Sequence, residues 1–227
     1  MTLLHIETST NVCSVALSLD GSCIFLKENR DGMNHATMLS PFIEDAFQFL
    51  QKQNGKLDAI AVSGGPGSYT GLRIGVSTAK GLCYGLNIPL IAVSTLQIMT
   101  LAAMAIKLDK NILYCPMIDA RRMEVYAAFY DVNAEIVRNI QADIIDSESY
   151  TEILSKSEVV FFGNGADKCK TTLTHPNAQF IDDIYPAAKF MIPLAEKAFK
   201  NSTFVDVAYF EPFYLKEFHT TTPKSII

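Results

Sequence analysis

The sequence predicts an α/β protein made of two copies of a βββαβα unit. Short apolar runs typical of buried strands alternate with segments whose apolar residues recur every three or four positions, as on one face of a helix. The same order recurs after the polar stretch 107–111, so we predict domains 1–107 and 108–227, with the end of the chain packing back on the first. A unit duplicated in this way is expected to close around a central cleft.

Composition narrows the class of protein. The 227 residues are 49% hydrophobic, which excludes a disordered chain, and the net charge of −5 disfavours independent binding to nucleic acid. The five cysteines are odd in number and widely spaced, mostly within apolar runs, which is typical of reduced core thiols. The chain opens on an apolar strand without a charged leader, and its longest apolar stretch is too short to cross a membrane. We therefore expect a cytoplasmic protein with no membrane partner.

Three short strands open the first half, at 3–6, 12–19 and 23–26, and the pair Asp20-Gly21 predicts a tight hairpin between the second and third. An amphipathic helix then spans Leu39 to Leu50 and ends near Asn54-Gly55. The remaining elements of this half are a strand at 59–63, a helix at 71–86, a strand at 89–93 and a helix at 95–106 with Ser94 as its cap.

The second half repeats this order. Strands are predicted at 112–118, 124–130, 135–140 and 159–162, and a helix is predicted after the Asp146-Ser147 pair. The strand at 159–162 ends in the glycine turn 163–165. In the last amphipathic helix, 187–200, Pro193 marks either a kink or the first turn. We expect the aromatic tail 209–216 to pack and residues 220–227 to be unanchored.

The glycine-rich loop 63–75 is the most unusual stretch of the chain. It lies between an apolar strand and a helix, so it is expected to expose backbone N–H groups at the N-terminus of that helix. Anions or hydrogen-bond acceptors of a partner are favoured at such a position. It does not match the dinucleotide pattern G-x-G-x-x-G, because Thr70 replaces the third glycine, and it has no Gly-Lys-Ser/Thr. The loop is either a tight strand-to-helix turn or a recognition loop.

The helix after this loop carries small residues at Gly75, Ala79, Gly81 and Gly85. Each helical glycine costs about 1 kcal/mol relative to alanine, which is tolerable where another helix approaches closely. That neighbour is either internal or a partner subunit.

Two polar turns occupy positions where phosphate is bound in some ATPases. The first is the run from Glu7 through Thr8 and Ser9 to Thr10, which is otherwise an ordinary polar turn. The second is Asp119-Ala120-Arg121-Arg122, where side chains replace the glycines that would let the backbone approach phosphate. The two arginines can pair with an anion, with Asp119 or with Glu124. A self-sufficient ATPase is therefore disfavoured.

Metal binding is not predicted. The four histidines, His5, His35, His175 and His219, are scattered, and none has a second histidine at ligand spacing. His35 directly precedes a predicted helix, and we expect it on the surface or as a cap.

Several segments carry a resemblance to a known family. They are residues 6–9, 63–75, 79–82, 119–122 with 124–126, and 212–216. Together they closely resemble the TsaB (YeaZ-type) family of bacterial tRNA threonylcarbamoyladenosine biosynthesis proteins, long labelled glycoprotease-like. The resemblance implies duplicated ribonuclease H-like domains of the actin-like ATPase (acetate kinase–hsp70–actin) superfamily.

The resemblance also implies a noncatalytic role beside the metal-bearing catalytic paralogue TsaD and the P-loop ATPase TsaE, with ATP and metal on those partner subunits. The complex modifies adenosine next to the anticodon of ANN-decoding tRNAs, using threonylcarbamoyl-AMP, and tRNA is reached only through the complex. Without its partner, such a chain is expected to form a homodimer. Glu7 stands where many members carry Asp, which argues against nucleotide binding.

The resemblance also implies site residues. The partner is expected to bind helices 36–53 and 71–86, and Thr8, Ser9 and Asp119 are expected to be vestiges of phosphate turns. The predicted partner-interface residues are Leu39, Phe42, Gly67, Tyr69, Thr70, Arg73, Gly75 and Ala79. The alternative functions are a glycoprotease-type peptidase and an independent actin-like ATPase.

Overall fold

The computed structural model describes residues 1–32 and 34–215 of the chain. The first half forms a five-stranded mixed sheet in the order β3-β2-β1-β4-β5. Its strands are β1 (Thr2–Glu7), β2 (Cys13–Leu19), β3 (Ser22–Asn29), β4 (Ala59–Gly65) and β5 (Leu90–Ser94), and its helices are α1 (His35–Lys52), α2 (Tyr69–Leu86) and α3 (Thr95–Met104). The strands β1, β2 and β3 are antiparallel, whereas β4 and β5 run parallel to β1.

The second half forms a second five-stranded sheet in the order β10-β9-β6-β7-β8. Its strands are β6 (Ile112–Asp119), β7 (Glu124–Tyr130), β8 (Ile136–Ile144), β9 (Glu158–Phe162) and β10 (Ala178–Ile181), and its helices are α4 (Thr151–Leu154) and α5 (Ile192–Lys200). Counted from β8, this order reproduces that of the first sheet. The predicted duplicated α/β fold is confirmed.

The Asp20-Gly21 hairpin forms as predicted. Both residues have positive φ, 46° and 80°, as a two-residue turn between twisted antiparallel strands requires. The turn places Leu19 opposite Ser22 and so fixes the register of β2 against β3.

Each half of the chain supplies a helix to the sheet of the other half. The helices α1 and α2 cover one face of the first sheet, packing on residues such as Leu4 and Val62. The opposite face, which includes Leu3, is covered by Ala195 of α5, from the second half. In return α3 packs through residues such as Met99 on the second sheet. The position 107/108 lies between β5 and β6 in the sequence, and the division into two domains there stays a prediction.

The helices of the second half differ from the prediction. The helix predicted after Asp146-Ser147 is wrong: α4 has only four residues and begins at Thr151. The Asp146 carboxylate instead accepts the backbone N–H of Glu148, at 3.0 Å, and Tyr150 has a φ of 63°, so the two form a turn outside helical geometry. After β9 a 3₁₀ turn (Asp167–Cys169) stands where the first half has α2, and the strand β10 was not predicted. Pro193 lies in the first turn of α5 rather than at a kink.

The segment 205–215, which we call the C-terminal strap, returns to the first sheet. The N–H of Val205 donates to the carbonyl of Leu90 at 2.9 Å, and the N–H of Phe213 donates to the carbonyl of Gly64 at 2.7 Å. Between them, Phe210 packs on the core beneath α2. The predictions for residues 216 and 220–227 fall outside the described part of the chain.

The described cysteines are all free, and only Cys23 is exposed. His35 is buried, contrary to the prediction of a surface or capping role: it is the first residue of α1, and its Nε2 donates to the carbonyl of Val12 at 3.1 Å. Within residues 1–32 and 34–215, none of the helices has the length and apolar character needed to cross a membrane.

Candidate functional site

The turn that follows β1 lies in close contact with glycines of the loop and of α2. Gly67, Gly71 and Gly75 recur every four residues and face this turn. A Cβ on any one of them would lie closer than 3.0 Å to atoms of Thr8 or Ser9. The loop is therefore a close-packed strand-to-helix turn. The N-terminal half of α2, which carries Gly71 and Gly75, has Thr8 of this chain as its neighbour.

The polar groups of this turn are already hydrogen-bonded within the chain. The N–H and the hydroxyl of Ser9 donate to Glu7 Oε1, at 2.6 and 2.5 Å. The Thr8 hydroxyl donates to the carbonyl of Gly71 at 2.8 Å, and the N–H of Ser68 donates to the carbonyl of Ser9 at 2.7 Å. An incoming phosphate would have to displace these bonds.

The carboxyl group of Glu7 is completely buried. Burial raises the pKa of Glu7 to about 7, because the charged form loses its hydration, and the hydrogen bonds from Ser9 oppose this shift. Near neutral pH this acid therefore lies between its protonated and ionised forms, inside the turn where an ATPase would hold phosphate.

The backbone N–H groups of the second turn, after β6, are also hydrogen-bonded within the chain. The N–H of Asp119 donates to Asn164 Oδ1, that of Ala120 to the carbonyl of Glu124 and that of Arg121 to Asp119 Oδ1, each at 3.0 Å. The ammonium group of Lys168 contacts the Asp119 carboxylate. Three consecutive backbone N–H groups are thus hydrogen-bonded within the chain. The cation paired with Asp119 is Lys168.

A cleft of about 250 Å³ lies between the two sheets, where the duplicated fold is expected to have one. Its lining includes Asp167, Asp182 and Asp183 together with Arg30. The Arg30 guanidinium stacks 3.9 Å from the ring centre of Tyr185 and also binds Glu28. Lys170 pairs with two of these three carboxylates, those of Asp167 and Asp182.

The predicted interface residues fall into two groups. Leu39, Phe42, Gly75 and Ala79 are buried in the core of the chain itself. Gly67 and Tyr69 are half-buried, and Thr70 and Arg73 are exposed. The Arg73 guanidinium lies 4.7 Å from the centre of the Tyr69 ring. Only the second group reaches the surface, and the interface assignment stays a prediction.

The exposed side of α2 carries Gly81 and Gly85, two of the small residues noted in the sequence, and Tyr84, which the sequence analysis did not single out. Gly81 and Gly85 have nothing within 4 Å of the space a Cβ would fill, and Tyr84 beside them is 86% exposed. The spacing of the small residues was visible in the sequence, but the direction in which each one faces was not. Among residues 1–32 and 34–215, no three His, Cys, Asp or Glu side chains converge as a metal site, and metal-free function stays a prediction.

Comparisons with known proteins identify the family. The family model described as "TsaD: tRNA N6-adenosine threonylcarbamoyltransferase" matches residues 31–219. The "tRNA threonylcarbamoyladenosine biosynthesis protein TsaB" of Haemophilus influenzae is 30% identical over 227 residues, which cover 95% of this chain and 94% of that protein. The protein of the same name from Escherichia coli is 32% identical over 222 residues, covering 95% of both chains. The chain belongs to the TsaB family.

The solved structure described as "YeaZ from Pseudomonas aeruginosa" supports the same assignment. It superposes on this chain with a TM-score of 0.76 at 28% identity, covering 94% of this chain and 99% of that one. The resemblance to the TsaB (YeaZ-type) family is confirmed over nearly the whole length. Because the matching family model describes a transferase, this TsaB chain is also similar to that enzyme family.

Proposed function

We propose that this chain is a noncatalytic subunit of the system that makes threonylcarbamoyladenosine next to the anticodon of ANN-decoding tRNAs. Membership of the TsaB family assigns the chain to tRNA threonylcarbamoyladenosine biosynthesis. One observation carries the noncatalytic part: the N–H of Ser9 in the first turn and those of Asp119, Ala120 and Arg121 in the second are hydrogen-bonded inside the chain. A chain with both turns closed contributes through the surfaces it offers to partners.

The partner-binding face is proposed to lie on α1 and α2. The exposed side of α2 combines an almost bare stretch at Gly81 and Gly85 with the exposed side chains of Arg73 and Tyr84. Bare helix surface permits close approach of another helix, and tyrosine and arginine are enriched among the residues that dominate binding energy at interfaces.

The partner on this face is proposed to be a TsaD-type transferase paralogue, with a TsaE-type P-loop ATPase joining the complex. A second copy of this chain occupies the same face when the paralogue is missing. ATP and metal belong to the partner subunits, and tRNA is bound only through the complex, in the cytoplasm. The net charge of −5 supports this division, because tRNA affinity depends largely on neutralising phosphates.

The test is co-purification with the paralogue, followed by a tRNA modification assay of the reconstituted complex. Gly81→Arg adds a large charged side chain where a Cβ meets nothing, so the chain is expected to fold but to lose both binding and modification. Thr171→Arg, at an exposed position of the second half, is the matched control and should retain both. Normal complex formation and activity with Gly81→Arg would contradict the proposed face.

A further inference from the structure

Lys80 in α2 contacts the C-terminal strap, and the proposed function assigns neither of them a role. The lysine lies in one of the segments that carry the family resemblance, 79–82, and the aromatic end of the strap, 212–215, lies in another. The Lys80 ammonium donates to the backbone carbonyls of Ala208 and Phe210, both at 3.0 Å. Because the acceptors are backbone atoms, the lysine fixes the path of the strap along the helix.

The strap also lies against the glycine-rich loop. The N–H of Phe213 donates to the carbonyl of Gly64 at 2.7 Å. A Cβ on Gly65 would lie 2.6 Å from the carbonyl oxygen of Phe213, and Gly65 has a φ of +106°, which other residues rarely adopt. The approach of two backbones therefore requires glycine at this position.

The next residue of the strap meets the surface end of α2. The Tyr214 ring packs on the Tyr69 ring, with 4.9 Å between their centres. Arg73 in turn lies over that same Tyr69 ring, at 4.7 Å. Arg73 also interacts with the Tyr214 hydroxyl. Tyr214, Tyr69 and Arg73 thus form one cluster, whose last two members belong to the half-buried and exposed part of the predicted interface.

We infer that the C-terminal strap is a positioning element of the partner-binding face. Lys80 anchors it through the backbone, and Tyr214 holds the Tyr69 ring, and with it Arg73, in the orientation that the transferase paralogue contacts. The inference rests on the proposed function. It makes the affinity of the complex depend on a segment far from α2 in the sequence, since Lys80 and Phe210 are 130 residues apart.

The experiment measures the affinity of the full chain for the purified paralogue by isothermal titration calorimetry. Tyr214→Ala removes the ring that packs on Tyr69, and Lys80→Met keeps the aliphatic part of the lysine but removes its two hydrogen bonds. Each is expected to weaken binding at least about tenfold. Tyr214→Phe keeps the ring that packs on Tyr69 and loses only the interaction of its hydroxyl with Arg73, so it should bind more tightly than Tyr214→Ala and close to the parent. Lys197→Met, which removes an exposed lysine from α5, is the matched control and should bind as the parent does.

Two further readouts separate positioning from a general loss of fold. Thermal unfolding of the variants should stay close to that of the parent, while hydrogen exchange at the N–H of Phe213 should become faster. Parent-like affinity of both Tyr214→Ala and Lys80→Met, when Gly81→Arg abolishes binding, would overturn the inference and leave the proposed function standing. Failure of the parent chain itself to bind the paralogue would overturn both.

Discussion

The hydroxyl of Thr8 donates a hydrogen bond to the carbonyl of Gly71, 2.8 Å away, and the Cα of Gly71 lies directly against the Thr8 backbone. This contact joins the turn after β1 to the first turn of α2. It explains why a glycine is needed inside a helix at this point, because a Cβ there would collide with the carbonyl oxygen of Thr8.

Gly71→Ala and Gly81→Ala make a matched pair within α2. The first places a Cβ closer than 3.0 Å to the Thr8 carbonyl oxygen, so we expect the free energy of unfolding to fall by at least about 2 kcal/mol. The second places a Cβ in open space and gains helix propensity, so we expect a rise of up to about 1 kcal/mol. Urea unfolding measures both, and equal effects of the two substitutions would contradict the packing described for this turn.

Glu7→Gln is expected to change the pH dependence of stability. Burial raises the pKa of Glu7 in the folded chain from 4.5 to about 7. As the pH rises between these values the unfolded chain releases this proton first, so the folded chain loses about 3 kcal/mol of stability, which is fully present only below pH 4.5. The neutral glutamine has no such loss.

The measurement is the difference in free energy of unfolding between the parent and Glu7→Gln, from about pH 4 to about pH 8. The difference removes the contribution of His5, whose pKa burial lowers to about 3 and whose effect on stability has the opposite sign. Glu44→Gln, at an exposed position of α1, serves as the control. A parent–variant difference that stays constant over this range would show that the Glu7 carboxyl titrates normally.

Asp119→Ala tests whether the second turn takes part in chemistry. Its carboxylate is half-exposed and paired with Lys168, so we expect a loss of at most about 1 kcal/mol in stability. Modification of tRNA by the reconstituted complex should stay near the parent level. A large loss of modification by a complex that still assembles normally would place nucleotide binding or catalysis in this chain.

The sequence predicted those elements whose signals are local. The pair Asp20-Gly21 was sufficient to predict the hairpin, and the spacing of apolar residues was sufficient to predict α1. The failure after Asp146 has a tertiary cause. Tyr150 is held at positive φ while its hydroxyl donates to Asp143 at 2.7 Å and its ring packs 5.0 Å from that of Phe129. No local pattern contains those partners.

Only part of the candidate site could be predicted from the sequence, for a similar reason. The four-residue spacing of Gly67, Gly71 and Gly75 is plain in the sequence, but whether it faced inside or outside depended on the position of Thr8. The role of Lys80 depended on acceptors in the C-terminal strap, over a hundred positions away. The role of such residues depends on burial and on contacts with residues far away in the sequence, and local periodicity indicates neither.

The crossed placement of α3 and α5 has a consequence for how the chain is made. On the ribosome, the first sheet can assemble and receive α1 and α2 while its other face, around Leu3 and Ile91, is covered only in part, by α3 through Ile98. The segments that complete the cover, the 3₁₀ turn Ala188–Met191 and α5 (Ile192–Lys200), are synthesised after β10. The nascent first half therefore carries an apolar surface until translation is nearly finished, and that is the interval in which a chaperone has a surface to hold.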